Sequence, residues 1–428
     1  MKENKRKYVW VINGPIKLIS EHNKSIHNSD IGWISSLIPV FHHDERLELV
    51  LVFPQNYLAE TIYGEIDNIR YFGVFQNNKK SWKINPDFEE QIYKLLFREK
   101  PDIIEVWGTE YAHSLDTFNA VKRLNLDNRF LVHIQGLTSV YARHFFAGLS
   151  NKMIHSYTIR DFIRHSNIWQ EKRKFERRGF REVALLKKAN NILGRTDWDR
   201  FHVMNINPGA TYYKCNESMR SAFFSCEWNY DLCEKNTICV TQGYYPIKGF
   251  HILVEAIALI KKFIPDIKVY VAGEKIIYKG KSRLRESSYG KYVRRLMKKH
   301  DITSCFEFLG YQDEKGIAKL YQRCNAFVLP SVMENSPNSL AEALIVGIPC
   351  ISSFVGGVSS MVEHNKDCVL YQHNDPVMLA MYIKKILCHE DYAKELSSNA
   401  KKTARINYSA QLNAETLLSI YDQVLKNM

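Results

Sequence analysis

Short, continuously apolar runs alternate with segments of helical period along most of the chain. In the first half the apolar runs fall at 8–16 (YVWVINGPI), 48–54, 69–75, 103–108, 130–136 and 191–196. In the second half they fall at 237–243, 267–273, 306–312, 326–331 and 349–354. Such runs, rich in Val and Ile and without polar alternation, fit strands buried on both faces. Between them, segments such as HILVEAIALIKKF place Leu253, Ile257 and Ile260 on one helical face. The rhythm predicts an α/β protein of two doubly wound, Rossmann-like domains facing across a cleft. The expected boundaries are 1–205 for the N-terminal, acceptor-side domain and 236–405 for the C-terminal, nucleotide-sugar-binding one. A linker is expected at 206–235, where NPGATYYKCNESMR breaks the period. Residues 406–428 read as an amphipathic helix expected to pack back toward the N-terminal domain.

Most of the apolar runs close on Gly or Pro, and ligands of open α/β sheets bind beyond the carboxyl ends of the strands. Within PSVMENSPNSLAEALIVGIP (330–349), Pro337 suits a first helical position with Ser336 as its cap. The N–H groups of Asn338, Ser339 and Leu340 would then be free to hold an anion. Glu342, in the helix, could accept from paired ribose hydroxyls, and Glu334, in the loop, from hydroxyls of whatever the phosphate carries. A capping box between Ser339 and Glu342 is the alternative account of the second carboxylate, though not of the first. Lys248, in TQGYYPIKGF, precedes a helix start and is a natural partner for a phosphate leaving group.

Charge changes the picture in two places. The 428-residue chain has a formal net charge of +13. Residues 1–150 are balanced, whereas 151–200 carry a net +7 and 261–300 a net +10. Patches of that kind attract phosphates on nucleotides, lipid headgroups or nucleic acid, or are simply solvated helix faces. The segment 160–182 joins eight basic residues to Phe162, Ile163, Ile168, Trp169 and Phe175, the pattern of a membrane-surface contact. The nine cysteines all follow position 214 and form no CxxC pair, so free thiols of a reducing compartment are expected. The apolar run after the first basic residues stops too early for a signal peptide, and no run is long enough to span a bilayer. A cytoplasmic protein, peripheral to the inner membrane face, is the expectation. No GxSxG, HExxH or Walker loop is present.

Taken in order, IKGFHILVEAI, VYVAG, FEFLG and LYQRCNAFVLPSVMENSPNSLAEALIVGIPCISSFVGGV resemble the donor half of glycosyltransferase family 4, the retaining glycosyl transferases group 1 of GT-B fold. The likeness is strong over 236–390 and looser through VWVINGPI, PDIIEVWGTE and GRTDWDR. It implies that Lys248 and Glu334 are catalytic, Lys248 neutralising the donor diphosphate and Glu334 meeting the transferred sugar. It further implies a donor site of Gly32, Gly243, Lys248, Asn338, Ser339, Leu340 and Glu342, with the loop around Gly32 closing over it. Gln135 and Trp107 are implied on the acceptor side. The donor would be a nucleotide-diphosphate sugar, the acceptor a hydroxyl of a glycan or lipid-linked glycan, and the pathway bacterial surface polysaccharide assembly. Front-face transfer would retain configuration and need no cofactor and no metal.

Three departures stand out. Gly243 occupies the position five before the lysine where relatives carry an arginine, leaving Arg195 as a candidate second cation. Asn335, Ser336 and Pro337 replace the usual Gly-Phe-Gly, and Gln135 replaces a histidine, with His133 on the opposite face of its strand. Asp197-Trp198-Asp199 imitates a metal-binding D-x-D but sits at a helix start. A nucleic-acid-binding protein is the competing class, although no such module is recognisable and the two basic patches read as belonging to different domains. A non-catalytic sugar-nucleotide binder, or an epimerase or phosphorylase of the same fold, also stays open.

Overall fold

In the computed structural model the described residues are 5–428, without 25, 27–30, 43, 59, 67, 77–82, 84, 147 and 279. The chain forms two compact units. One comprises 1–140, 176–220 and 407–428, the other 141–175 and 221–406. The helix Ile168–Leu186 thus begins with the second unit and ends with the first.

The first unit holds eight strands: β1 (Arg6–Val11), β2 (Leu47–Gln55), β3 (Ile62–Ile66), β4 (Ile69–Phe75), β5 (Ile103–Trp107), β6 (Phe130–His133), β7 (Asn191–Gly194) and β8 (Thr211–Lys214). Their spatial order is β3-β4-β2-β1-β5-β6-β7-β8, parallel throughout except for the β3–β4 pair. Alternation along β1 explains its burial on both faces. Val9 and Val11 enter a core of small aliphatics, while Tyr8 and Trp10 enter an aromatic core closed by the C-terminal helix Ala410–Lys426. A buried relay pins that helix. The Trp10 indole donates to the Tyr421 hydroxyl at 2.8 Å, Tyr421 donates to Glu105, and Glu105 meets His133 Nδ1 at 2.9 Å.

The second unit holds β9 (Thr237–Val240), β10 (Lys268–Ala272), β11 (Phe306–Gly310), β12 (Ala326–Leu329), β13 (Cys350–Ser353) and β14 (Val369–Tyr371). All pairs are parallel, in the order β11-β10-β9-β12-β13-β14. That is the doubly wound order, with its switch point between β9 and β12. In the first unit the winding reverses in the same way between β1 and β5.

Every expected strand is present, and three more are not anticipated by the pattern: β3, β8 and β14. Strand β8 lies inside the stretch read as a linker, so 211–214 completes the first sheet instead of joining domains. The nine cysteines are free thiols, six of them buried.

Candidate functional site

The second unit's switch point gathers the motif residues. After β9 the chain turns through Pro246–Lys248 into the helix Phe250–Ile260. After β12 it runs through Ser331 and Glu334 into the helix Asn338–Val346. The two loops are laced directly, the Val332 N–H donating to the Ile247 carbonyl at 2.7 Å. Lys248 Nζ therefore lies 2.7 Å from Glu334 Oε1, and the Ser331 hydroxyl donates to the same oxygen at 2.7 Å. Only 7% of the Glu334 side chain and 15% of the Lys248 side chain reach solvent, so the pair is shielded but not sealed. Burial opposes the charge on Lys248. The adjacent Glu334 carboxylate outweighs it, with Tyr245 assisting, and holds the ammonium above its ordinary pKa.

The loop after β13 closes over Glu334 from the other side. The Gly357 N–H donates to the Glu334 carbonyl at 3.0 Å. Gly356 adopts φ +52°, and a Cβ there would meet that carbonyl oxygen at 1.9 Å. Only glycine admits this approach. The Asn335 N–H donates to the Tyr141 hydroxyl at 3.0 Å.

The helix start differs from expectation by one residue. Pro337 is itself the cap, without a side-chain hydrogen bond, and Asn338 is the first helical residue. Pro337 has ψ 118°, outside the helical range, so it stands as the cap and Ser336 is left outside the helix. Ser339 then stands second in the helix and forms no capping box with Glu342. Leu340 donates its N–H to the Pro337 carbonyl at 3.0 Å and so is not a free donor. The N–H groups of Asn338 and Ser339 have no acceptor among the described residues. The Tyr321 hydroxyl donates to the Ser339 carbonyl at 3.0 Å, steadying that turn. Glu342 is 8% exposed in the body of the helix. Gly243 is packed so closely that a Cβ would stand 2.9 Å from Ile276 Cδ1 and 3.0 Å from the Phe250 ring.

The remaining expected residues lie in the first unit. Gly32 is the first residue of the helix Gly32–His42, against the Arg220 side chain, and residues 27–30 before it lie outside the described set. Trp107 is 2% exposed, its ring 4.4 Å from His133 and 5.1 Å from Trp10. It is a core residue and presents no face to an acceptor. Gln135 accepts from Arg195 Nη2 through its carbonyl, and the same guanidinium is paired with Glu217. Arg195 is thus committed within its own unit. Asp199 completes the capping box of Thr196 and is spent on backbone and hydroxyl donors. The described residues contain no cluster of three or more His, Cys, Asp or Glu side chains able to hold a metal ion.

A second group was not singled out by the sequence reading. Asn13, beyond β1, and Glu110, beyond β5, converge on Gly108. Asn13 Nδ2 and Glu110 Oε2 lie 2.9 and 2.3 Å from the point a Gly108 Cβ would occupy. Asn13 Oδ1 and Glu110 Oε2 are sealed from solvent without a hydrogen-bond partner among the described residues. Burial pushes the Glu110 carboxyl up to about 7. Its buried neighbour Glu182 differs, accepting from Thr109, Thr138 and Ser139 through both oxygens. Glu182 ties backbone together; Glu110 Oε2 has no such duty. The signal available in sequence was the TE that follows WG at the end of a strand.

These loops stand at the switch point of a doubly wound parallel sheet. Residues 232–403 match the family model described as Glycosyl transferases group 1. The whole fold is that of GT-B glycosyltransferases. Sucrose-phosphate synthase from Thermosynechococcus elongatus aligns with 99% of this chain and 100% of its own, with a TM-score of 0.73 at 15% identity. Anabaena HepE in complex with UDP-glucose aligns with 96% of this chain and 99% of its own, with a TM-score of 0.63 at 14% identity. Among curated proteins, Spore coat protein SA of Bacillus subtilis is 26% identical over 240 residues, 55% of this chain and 59% of that protein. The matched stretches span 59%, 31% and 49% of the first three curated relatives. The family match thus lies within the second unit, and the structural likeness is one of fold.

Proposed function

We infer that this protein transfers a sugar, a hexose by its resemblance, from a nucleotide-diphosphate sugar to a hydroxyl of a glycan or lipid-linked acceptor, with retention of configuration. The observation that carries the reading is the Lys248–Glu334 pair beside two free helix N–H groups at a doubly wound switch point. A lysine and a helix N-terminus favour a diphosphate, while a buried carboxylate beside them favours a hydroxylated group attached to it. That HepE is described with UDP-glucose on the same fold supports a donor of this class.

In the step we infer, the bond between the sugar's anomeric carbon and the diphosphate breaks while a bond to the acceptor oxygen forms on the same face. The acceptor proton passes to the departing phosphate oxygen. Lys248 stabilises the charge developing on that phosphate, and the Asn338 and Ser339 N–H groups hold the distal one. Glu334 orients the sugar and keeps Lys248 charged; Glu342 reaches the ribose. These positive groups serve the diphosphate in place of a divalent cation, and no cofactor enters the step. Asn13 and Glu110, rather than Trp107, are the acceptor-side residues of this reading, since buried unpartnered oxygens accept from sugar hydroxyls. Surface polysaccharide assembly on the cytoplasmic side of a membrane is the setting we propose.

The test is a panel of UDP-, GDP- and dTDP-sugars with EDTA present, followed by thermal shift and nucleotide release. One donor should stabilise the protein and be slowly hydrolysed, with both effects lost in Glu342→Ala. A protein indifferent to every sugar nucleotide would rule the reading out.

A further inference from the structure

We propose that the second unit docks on an anionic lipid bilayer through one face, built from the helix Ile159–Arg164 and the turn Gly280–Arg285. Phe162 and Ile163 are 72% and 70% exposed, and Ile159 and Leu284 are 59% and 61% exposed. Ile159, Phe162 and Leu284 line a groove of about 550 Å³ whose walls also carry Arg283 and Lys291, and Ile163 stands beside Phe162. A cluster of large apolar side chains held in water is unusual enough to mark a contact surface.

The helix is not a frayed segment. Asp161, fully buried at its centre, accepts the Ser288 N–H at 2.7 Å at the start of the helix Ser288–Lys299 and is paired with Arg160. Locking Asp161 inward turns its neighbours Phe162 and Ile163 outward on a helix of six residues. The charge around them is one-sided. The acids of this face, Asp161 and Glu286, are buried, and Glu286 is bound by Arg294. Arg164, Arg283 and Arg285 are exposed. Apolar side chains rimmed by cations, with the anions withdrawn, match a headgroup layer bearing negative charge.

This narrows and moves the contact expected at 160–182. Ile168 is buried, Phe175 packs on Phe145 at 5.0 Å, and the Trp169 ring is covered by the Arg173 guanidinium at 3.8 Å. Of the five apolar residues read as that contact, Phe162 and Ile163 stay exposed, and they are joined by 283–285 from the other basic stretch. Residues 151–175 of the first basic patch and the whole of 261–300 belong to one unit.

The inference does not rest on glycosyl transfer, because vesicle binding is read without activity. Flotation of the full chain with vesicles of equal phosphatidylcholine and phosphatidylglycerol, at physiological salt, should show binding that pure phosphatidylcholine does not give. Phe162→Ser with Ile163→Ser should weaken it at least ~10-fold. Arg283→Ser should cost about fivefold. Phe180→Ser, equally exposed but carried by the first unit, should change nothing. Melting temperatures near that of the unsubstituted protein would show that the variants fold. Failure to bind the mixed vesicles, equal binding to both kinds, or full binding by the Phe162/Ile163 variant would overturn the proposal. So would duplex DNA displacing the vesicles with an affinity that the Phe162/Ile163 change leaves intact.

Discussion

At the carboxyl edge where β9 meets β12, the second unit presents a lysine, two unspent helix N–H groups and a carboxylate that keeps the lysine charged. At the corresponding edge where β1 meets β5, the first unit presents Asn13 and Glu110, two oxygens shut from water with nothing to accept from among the described residues. The winding is the same in both sheets, and winding alone supplies a crevice. What differs is the sign of the unmet demand. The second edge offers positive charge and donors, which suit phosphates. The first offers acceptors, which suit hydroxyls. In the function proposed above, that contrast would tell a donor from an acceptor substrate.

The comparison can be broken most severely at Lys248. Lys248→Ala should raise the barrier to transfer by at least ~3 kcal/mol, a hundredfold or more in kcat. Steady-state kinetics with the responsive donor would show it, and a variant within threefold of the unsubstituted rate would remove Lys248 from catalysis. Next comes the loop that closes over Glu334. Gly356→Ala must accept a left-handed backbone and a clash with the Glu334 carbonyl, at a cost of about 2–3 kcal/mol. Urea unfolding would register this as a lower midpoint at unchanged slope.

Glu110→Gln probes the other edge. Its carboxyl, ordinarily at 4.5, is held at about 7 by burial. Between those values the folded chain keeps a proton that the unfolded chain has lost, so stability falls as pH rises through the window. The amide removes that slope. The variant should match the unsubstituted protein at pH 4 and exceed it at pH 8 by on the order of 2 kcal/mol. Transfer should meanwhile fall about tenfold with nucleotide affinity unchanged. Parallel loss of nucleotide binding would erase the division of labour between the edges. The smallest effect is expected from Gly243→Arg, which supplies the cation that relatives carry. Ile276 and Phe250 must give way by a few tenths of an ångström, at about 1 kcal/mol of stability. Calorimetry should show a modest gain in nucleotide affinity.

The second edge was legible because its chemistry is local in sequence. Lys248 adjoins its helix, and Glu334, Asn338, Ser339 and Glu342 fall within nine residues, so spacing and turn residues carry the geometry. Even there, the one-residue shift of the helix cap, which spends the Leu340 N–H, reflects the extended ψ of Pro337 and was not apparent from the signature alone. The first edge was not legible. Asn13 and Glu110 are 97 positions apart and meet only because β1 pairs with β5. Trp107 misled for a related reason: an aromatic at a strand end looks available, whereas the stacking on His133 and Trp10 that buries it is a tertiary fact. Strands β3, β8 and β14 escaped because they lie at or beside sheet edges and are short, with too few apolar positions to set a period.

Hydrogen exchange of the full chain with and without saturating UDP, and again with GDP, tests the division most directly. The account predicts protection confined to the second unit, at 246–249 and 334–342, with 11–14 and 108–113 unchanged. Protection centred on 11–14 and 108–113, with the Lys248 and Glu334 loops unaffected, would contradict it.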